Sequence, residues 1–155
     1  MKIKILTVGE LENPHLDALA DLYLKRIRHY LPIAMESIKP ERIKNLSDEE
    51  IRHREAEKLY DKWGESDYHV ALAESGKPFT SVDVATFFNR LMGQSIKNLT
   101  FIVGGPLGLS KDLLLKANQV LSLSKMTMPH EFAAVFLLEQ MYRAQTILHG
   151  GKYHK

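Results

Sequence analysis

Residues 99–108 read LTFIVGGPLG, an apolar run followed without a break by a glycine-rich loop. Five consecutive apolar or β-branched residues, Leu99 to Val103, are typical of a strand that is buried on both faces of a parallel sheet. Ser110 follows the loop and predicts the cap of a short helix. This order of buried strand, tight loop and helix predicts an α/β fold.

Working outward, the rest of the chain repeats the alternation of strands and helices. Predicted strands cover 2–8, 33–38, 68–73 and 120–123. Predicted helices cover 14–28, 47–63, 81–91 and 130–148, with Ser47 and Glu50 as a capping box, Ser81 as a cap and 74–78 as a turn. Helices between successive strands predict a parallel sheet flanked by helices. From this pattern alone we expect an ordinary, unknotted sheet.

Composition limits the class of protein. The chain has 155 residues, which predicts one domain, and no cysteine, which excludes disulfides and thiol chemistry. No apolar run approaches the ~20 residues of a membrane span, and the amino terminus does not resemble a secretory signal. We therefore expect a cytoplasmic protein. A net charge of +2 excludes a polybasic nucleic-acid binder that acts through bulk charge.

The few excess positive charges lie at the carboxyl terminus. Residues 1–139 carry 18 basic and 19 acidic side chains, whereas residues 140–155 carry Arg143, Lys152 and Lys155 and no acidic side chain. This pattern is consistent with a frayed, solvated end or with a local contact for phosphate. The helix before it, 130–148, is apolar around most of its circumference, which is typical of a helix that also lines a subunit interface.

Three segments follow predicted strands and mark where a ligand would bind. They are 72–74, 104–108 and 123–128. Ligands of open parallel sheets bind beyond the carboxyl ends of the strands, so we expect a crevice there. Alternatively, the glycines form only a tight turn and 123–128 only a polar connector. Dinucleotide and phosphate-loop signatures are absent, and the scattered histidines do not form a metal site.

Four pieces of the sequence carry a resemblance. They are KIKILTVGE at 2–10, FIVGGPLGL at 101–109, LSLSKMTMPHEFAAVFLLEQMYRA at 121–144 and KYHK at 152–155. Together they resemble the RlmH family of ribosomal RNA large-subunit methyltransferases, within the SPOUT superfamily. The resemblance spans essentially the whole chain.

The resemblance implies a fold, a reaction and partners. The fold is a single SPOUT methyltransferase domain over 1–155, a parallel sheet flanked by helices with a carboxyl-terminal trefoil knot. The reaction transfers a methyl group from S-adenosylmethionine, without a metal, to N3 of a pseudouridine in helix 69 of 23S ribosomal RNA. The implied substrate is the assembled 70S ribosome, and the implied enzyme is a homodimer.

The resemblance also implies roles for residues. The cofactor-binding positions are Leu72, Gly104, Leu123, Ser124, Lys125, Met126, Thr127 and Met128. The catalytic candidates are Arg143, Tyr153 and His154. Our hypothesis is that His154 or Tyr153 orients or deprotonates the target base while Arg143 holds a phosphate or a carbonyl oxygen. Two alternatives stay open: a nucleotide- or flavin-binding α/β protein, and a ribosome-associated factor without catalysis.

Overall fold

The computed structural model describes residues 1–64 and 68–155 as alternating strands and helices. The strands are β1 (Lys2–Val8), β2 (Ile33–Ile38), β3 (Tyr68–Pro78), β4 (Asn98–Val103) and β5 (Gln119–Ser122). The helices are α1 (Pro14–Ile27), α2 (Asp48–Trp63), α3 (Ser81–Gly93), α4 (Lys111–Lys116) and α5 (His130–Leu148). No helix in these ranges is both long and apolar enough to cross a membrane.

The five strands form one sheet in the order β2-β1-β4-β3-β5, and all neighbours are parallel. This confirms the α/β prediction. Side chains alternate across the sheet. Ile5 and Phe101 face α1, α3 and α5, whereas Leu6 and Ile102 face α2 and α4. Helices cover both faces of the sheet, so β4 needs apolar residues at every position, as its sequence predicts.

Helix α5 packs between α1 and α3. Leu138, Met141 and Ala144 are fully buried there, while Phe132 near its start is 48% exposed. The carboxyl end of α5 is a Schellman motif, in which Gly150 N donates to Ile147 O (3.2 Å) and Gly151 N donates to Thr146 O (2.7 Å). The motif reverses the chain, and the last residues fold back along α1 and α5.

Two local predictions are wrong. Ser81 is not the cap of α3: Thr80 is, because its side chain accepts from Asp83 N while Asp83 accepts from Thr80 N. The turn predicted at 74–78 is instead part of β3, which extends to Pro78. A tertiary contact causes this difference. The carboxyl end of β3 pairs with β5, which lies about 40 residues further along the sequence.

The pairing of β3 with β5 is irregular. Leu121 of β5 pairs with both Leu72 and Lys77 of β3. Residues 73–76, which lie between these two positions, therefore leave the ladder of paired residues. The backbone of β5 passes very close to this detour. A Cβ placed on Gly76 would lie 2.6 Å from Leu121 C and 2.8 Å from Ser122 N. Position 76 therefore admits only glycine unless one of the two backbones moves.

This contact predicts that Gly76→Ala destabilises the fold. Overpacking against the rigid backbone of β5 should lower the free energy of unfolding by about 3 kcal/mol, which chemical denaturation would measure. Gly93→Ala, at the end of α3, is the matched control, since beyond its own helix and chain neighbours no atom of the described residues lies within 4 Å of its added methyl group. The control should be neutral or stabilising by up to about 1 kcal/mol. Equal stability of both variants would contradict the close passage.

Candidate functional site

The three predicted strand-end segments meet around one crevice at the carboxyl edge of the sheet. Its volume is about 920 Å³, at the upper end of the range for pockets that hold a small organic ligand. The lining residues are Leu72, Ala73, Glu74, Ser75, Val103, Gly104, Gly105, Pro106, Leu107, Gly108, Leu109, Leu114, Leu123, Ser124, Met126, Thr127, Met128, Pro129, His130 and Ala133. The parallel sheet alone explains this convergence, because all of its carboxyl ends lie at one edge.

The glycine-rich loop forms one wall as a tight turn. Gly108 N donates to Gly105 O at 2.9 Å, with Pro106 in the second position of the turn, where its fixed φ is favourable. A Cβ on Gly104 would lie 2.8 Å from Gly108 C and 3.0 Å from Leu109 Cγ. The tight-turn and ligand-wall interpretations of this loop are thus both consistent with its geometry, since the turn itself lines the crevice.

The opposite wall is the loop between β5 and α5, which its serines brace. Ser122 Oγ donates to Ser124 O (2.9 Å), and Ser124 Oγ accepts from Met126 N (2.9 Å). Seven of the eight positions predicted to bind a cofactor therefore line the crevice. Lys125 is the exception: it belongs to the loop, but its side chain is exposed and is not part of the lining.

The crevice combines apolar walls with a few polar groups. Among the lining residues, Glu74, Ser124 and His130 have polar or titratable side chains of the kind that orient a ligand by hydrogen bonds. Within residues 1–64 and 68–155, no cluster of three or more histidine, aspartate or glutamate side chains has the geometry of a metal site. The arrangement suits an organic ligand with apolar rings and polar edges.

The predicted catalytic residues gather at a second place, where the tail folds back on α5. The hydroxyl of Tyr153 donates to Glu139 Oε1 (3.0 Å), and its oxygen lies 3.3 Å from the hydroxyl oxygen of Tyr23 in α1. Arg143 forms an ion pair with the same carboxylate, and its guanidinium carbon lies 4.7 Å from the centre of the Tyr153 ring. The tail is therefore docked, which contradicts a frayed end.

These contacts change the acid–base properties of the cluster. The hydrogen bond to Glu139 raises the pKa of Arg143 above its usual range, so Arg143 stays charged. Burial raises the pKa of Tyr153 well above its ordinary value of about 10, and the hydrogen bonds to Tyr23 and Glu139 add to the shift. His154 is half-buried, and its Nδ1 is buried with no hydrogen-bond partner among the residues that the structure describes.

The crevice and the tail cluster lie on different sides of α5. Nine residues separate His130 from Glu139, which is two and a half helical turns, so their side chains project in opposite directions. They are also about 14 Å apart along the helix axis. One chain therefore does not bring its predicted cofactor-binding and catalytic residues together.

Sequence reasoning missed several members of these sites. Tyr23 and Arg26 join the tail cluster only because α1 packs beside α5, and nothing in their local sequence signals it. Glu139 is also a member, because its carboxylate binds Arg143, Tyr153 and Gln140. The aromatic and basic composition of 142–155 was the one available signal for this cluster.

Comparison with known proteins supplies the family. A family model described as "Predicted SPOUT methyltransferase" matches residues 1–154. Two relatives are both named "Ribosomal RNA large subunit methyltransferase H". The one from Cytophaga hutchinsonii is 36% identical over 154 residues, and covers 99% of both chains. The one from Ureaplasma parvum is 38% identical over 159 residues, and covers 100% of both.

Solved structures share the fold at low sequence identity. A Bordetella pertussis protein described as a methyltransferase has a TM-score of 0.56 at 8% identity, and covers 93% of this chain and 96% of its own. A Legionella pneumophila protein, also described as a methyltransferase and solved with S-adenosylmethionine, has a TM-score of 0.54 at 13% identity, and covers 93% and 66%. The full-length sequence matches decide the assignment: this chain belongs to the SPOUT methyltransferase family.

Proposed function

We propose that this protein uses S-adenosylmethionine to methylate N3 of a pseudouridine in helix 69 of 23S ribosomal RNA. Its substrate would be the assembled 70S ribosome in the cytoplasm, and the whole of 1–155 would form one catalytic domain. The observation that carries the proposal is the full-length similarity to relatives named as ribosomal RNA large subunit methyltransferases. The crevice adds a site of suitable size and chemistry for the methyl donor.

The residues of the crevice fit S-adenosylmethionine. Leu72, Leu123 and Met128 supply apolar surface for a flat ring, and the loop at Gly104 lets its backbone approach closely. When bound, the cofactor supplies a methyl group on a positively charged sulfur. Transfer breaks the sulfur–carbon bond and forms a carbon–nitrogen bond at N3, so the N3 proton must pass to a base.

We also propose that the chain threads a trefoil knot around this crevice. The double register of Leu121 supports it, because residues 73–76 leave the ladder between two pairings to one residue of β5. The close contact of Gly76 with Leu121 and Ser122 is the packing that such a threaded backbone requires.

The active enzyme would be a homodimer whose site is shared between subunits. The separation of His130 from Glu139 on opposite sides of α5 supports this arrangement, since a second chain could bring its tail to the first chain's crevice. Leu107 (37% exposed) and Met126 (78%) leave apolar surface at the crevice, and Phe132 (48%) is exposed near the start of α5, so a partner could cover these side chains.

His154 is the group best suited to accept the N3 proton. A neutral imidazole has one ring nitrogen that can accept a proton, and the buried Nδ1 of His154 has no hydrogen-bond partner within the described ranges to fix its tautomer. Tyr153 would not serve, because its raised pKa keeps the hydroxyl protonated, so it is a positioning residue for the tail. Arg143 would orient a phosphate or a carbonyl oxygen only if the substrate competes with Glu139.

The test of this function is a methyl-transfer assay on ribosomes that lack the modification. Purified protein with labelled S-adenosylmethionine should add one methyl group to one pseudouridine, which nuclease digestion and mass spectrometry would locate. Assembled 70S particles should be better substrates than free 23S RNA. His154→Ala should lower the rate by about 10²–10⁴-fold. No transfer to any ribosomal substrate would contradict the proposal and favour a non-catalytic factor.

The state of Tyr153 predicts a specific pH dependence of stability. The folded protein holds this hydroxyl protonated, whereas in the unfolded chain it ionises near pH 10. The stability that the protonated Tyr153 hydroxyl contributes to the fold is therefore complete below pH 10. It is lost as the pH rises through the higher pKa of the folded state. The stability advantage of wild type over Tyr153→Phe should be constant at neutral pH and shrink above about pH 10. Denaturation of both proteins between pH 7 and 11 measures it, and an advantage that grows above pH 10 would contradict the shift.

A further inference from the structure

A cluster of aromatic rings joins α1 to the fold-back tail. Tyr142 in α5 lies at its centre, with ring centroids 6.1 Å from Tyr23 and 4.8 Å from Tyr153. Tyr30 and His149 extend the cluster, with centroids 4.9 Å apart. These five rings, which we call the aromatic face, lie on α1, in the turn that follows it, on α5 and in the residues after α5.

Arg26 is an arginine on this face without an acidic partner. Its guanidinium carbon lies 5.4 Å from the Tyr142 ring centre and 5.7 Å from that of Tyr23. Nowhere in 1–64 or 68–155 does a carboxylate lie within 4 Å of its guanidinium nitrogens, and they donate no hydrogen bond to a described residue. The two rings orient the planar group, yet leave its donors without an acceptor.

Arg143 shows the contrast. It too packs over an aromatic ring of this face, but its charge is compensated by Glu139. Of the two arginines, Arg26 is therefore the one whose charge is free to meet an anion. A half-buried guanidinium with unfilled donors is a favourable site for phosphate, which can accept two parallel N–H bonds from it.

Basic residues flank Arg26 in the sequence. Lys25 and Arg28 are exposed beside it at the end of α1, and Lys152 and Lys155 are exposed in the tail, which contacts α1 through Tyr153 and Tyr23. The nearest carboxylates in sequence, Asp17 and Asp21, lie one to three turns earlier in α1. The tail itself contains no acidic residue.

We propose that Arg26 binds a backbone phosphate of the RNA substrate next to the target nucleotide. This inference rests on the proposed function, because it takes RNA as the substrate. RNA suits the surface better than an acidic protein segment does, since unstacked bases pack on tyrosine rings while the neighbouring phosphates need cations. Arg26 is then a substrate-binding residue on α1, outside the segments that resemble the family's motifs.

The test is the salt dependence of kcat/KM for methyl transfer to ribosomes by Arg26→Gln. We expect KM for ribosomes to rise roughly five- to ten-fold, with kcat and S-adenosylmethionine affinity unchanged. The slope of log kcat/KM against log salt should become shallower by about one. Arg26→Lys should keep the wild-type slope because it retains the charge.

Arg90→Gln is the matched control. The guanidinium carbon of Arg90 also lies over an aromatic ring, 5.3 Å from the centre of Phe87, and no carboxylate of the described ranges lies within 4 Å of its nitrogens. Arg90 is on α3, which packs on α5 on the side away from α1. Its loss should leave KM and the salt slope unchanged. An unchanged KM in Arg26→Gln, or an equal change in Arg90→Gln, would overturn the inference.

Two further outcomes separate the alternatives. If Arg26→Gln binds an isolated helix 69 hairpin as tightly as wild type but has a raised KM for ribosomes, the contact lies elsewhere on the ribosome and the inference is wrong. If Arg26→Gln is unfolded, Arg26→Lys decides. A wild-type KM and salt slope in Arg26→Lys support the inference, whereas a five-fold rise in its KM with an unchanged salt slope indicates a packing role and overturns it. Absence of methyl transfer by wild type would instead refute the proposed function itself.

Discussion

The passage of β5 against Gly76 is the contact on which the rest of the site depends. Leu121 pairs with Leu72 on one side of the detour and with Lys77 on the other, so the ends of both strands are fixed at one point. That point sets where the loop 123–129 leaves the sheet. The loop then faces residues 72–75 and the glycine turn at 104–108, and the crevice forms between them.

The fold and the place of the crevice could be predicted from the sequence because their signals are local. The apolar run Leu99–Val103 predicts a strand covered on both faces, and parallel strands bring their carboxyl ends to one edge. The remainder depends on partners distant in sequence. The extension of β3 to Pro78 needs β5, and the roles of Tyr23 and Arg26 need α5. The same limit applies to Lys125, which belongs to the predicted loop but lies outside the lining of the crevice.

Charge gives a similar lesson about the tail. A net charge of +2 argues against a nucleic-acid binder that acts through bulk charge, and the basic residues after Glu139 are consistent with a local phosphate contact. In the structure, the arginine with an uncompensated charge lies on α1 and not in the tail. Arg143 is compensated within the chain, whereas Arg26, from an element with no basic excess overall, is not. A small number of oriented cations on an aromatic face fits recognition of a shaped RNA better than a diffuse positive field does.

We propose that the crevice of one subunit works with the tail of another. The most direct measurement is the activity of a heterodimer purified through two different tags, with Gly104→Val in one chain and His154→Ala in the other. Valine would overlap the Gly108 backbone and block the crevice, so each homodimer should be inactive. A shared site predicts that the heterodimer, with one intact crevice facing one intact tail, recovers about half of the wild-type rate. A heterodimer as inactive as either homodimer would contradict it.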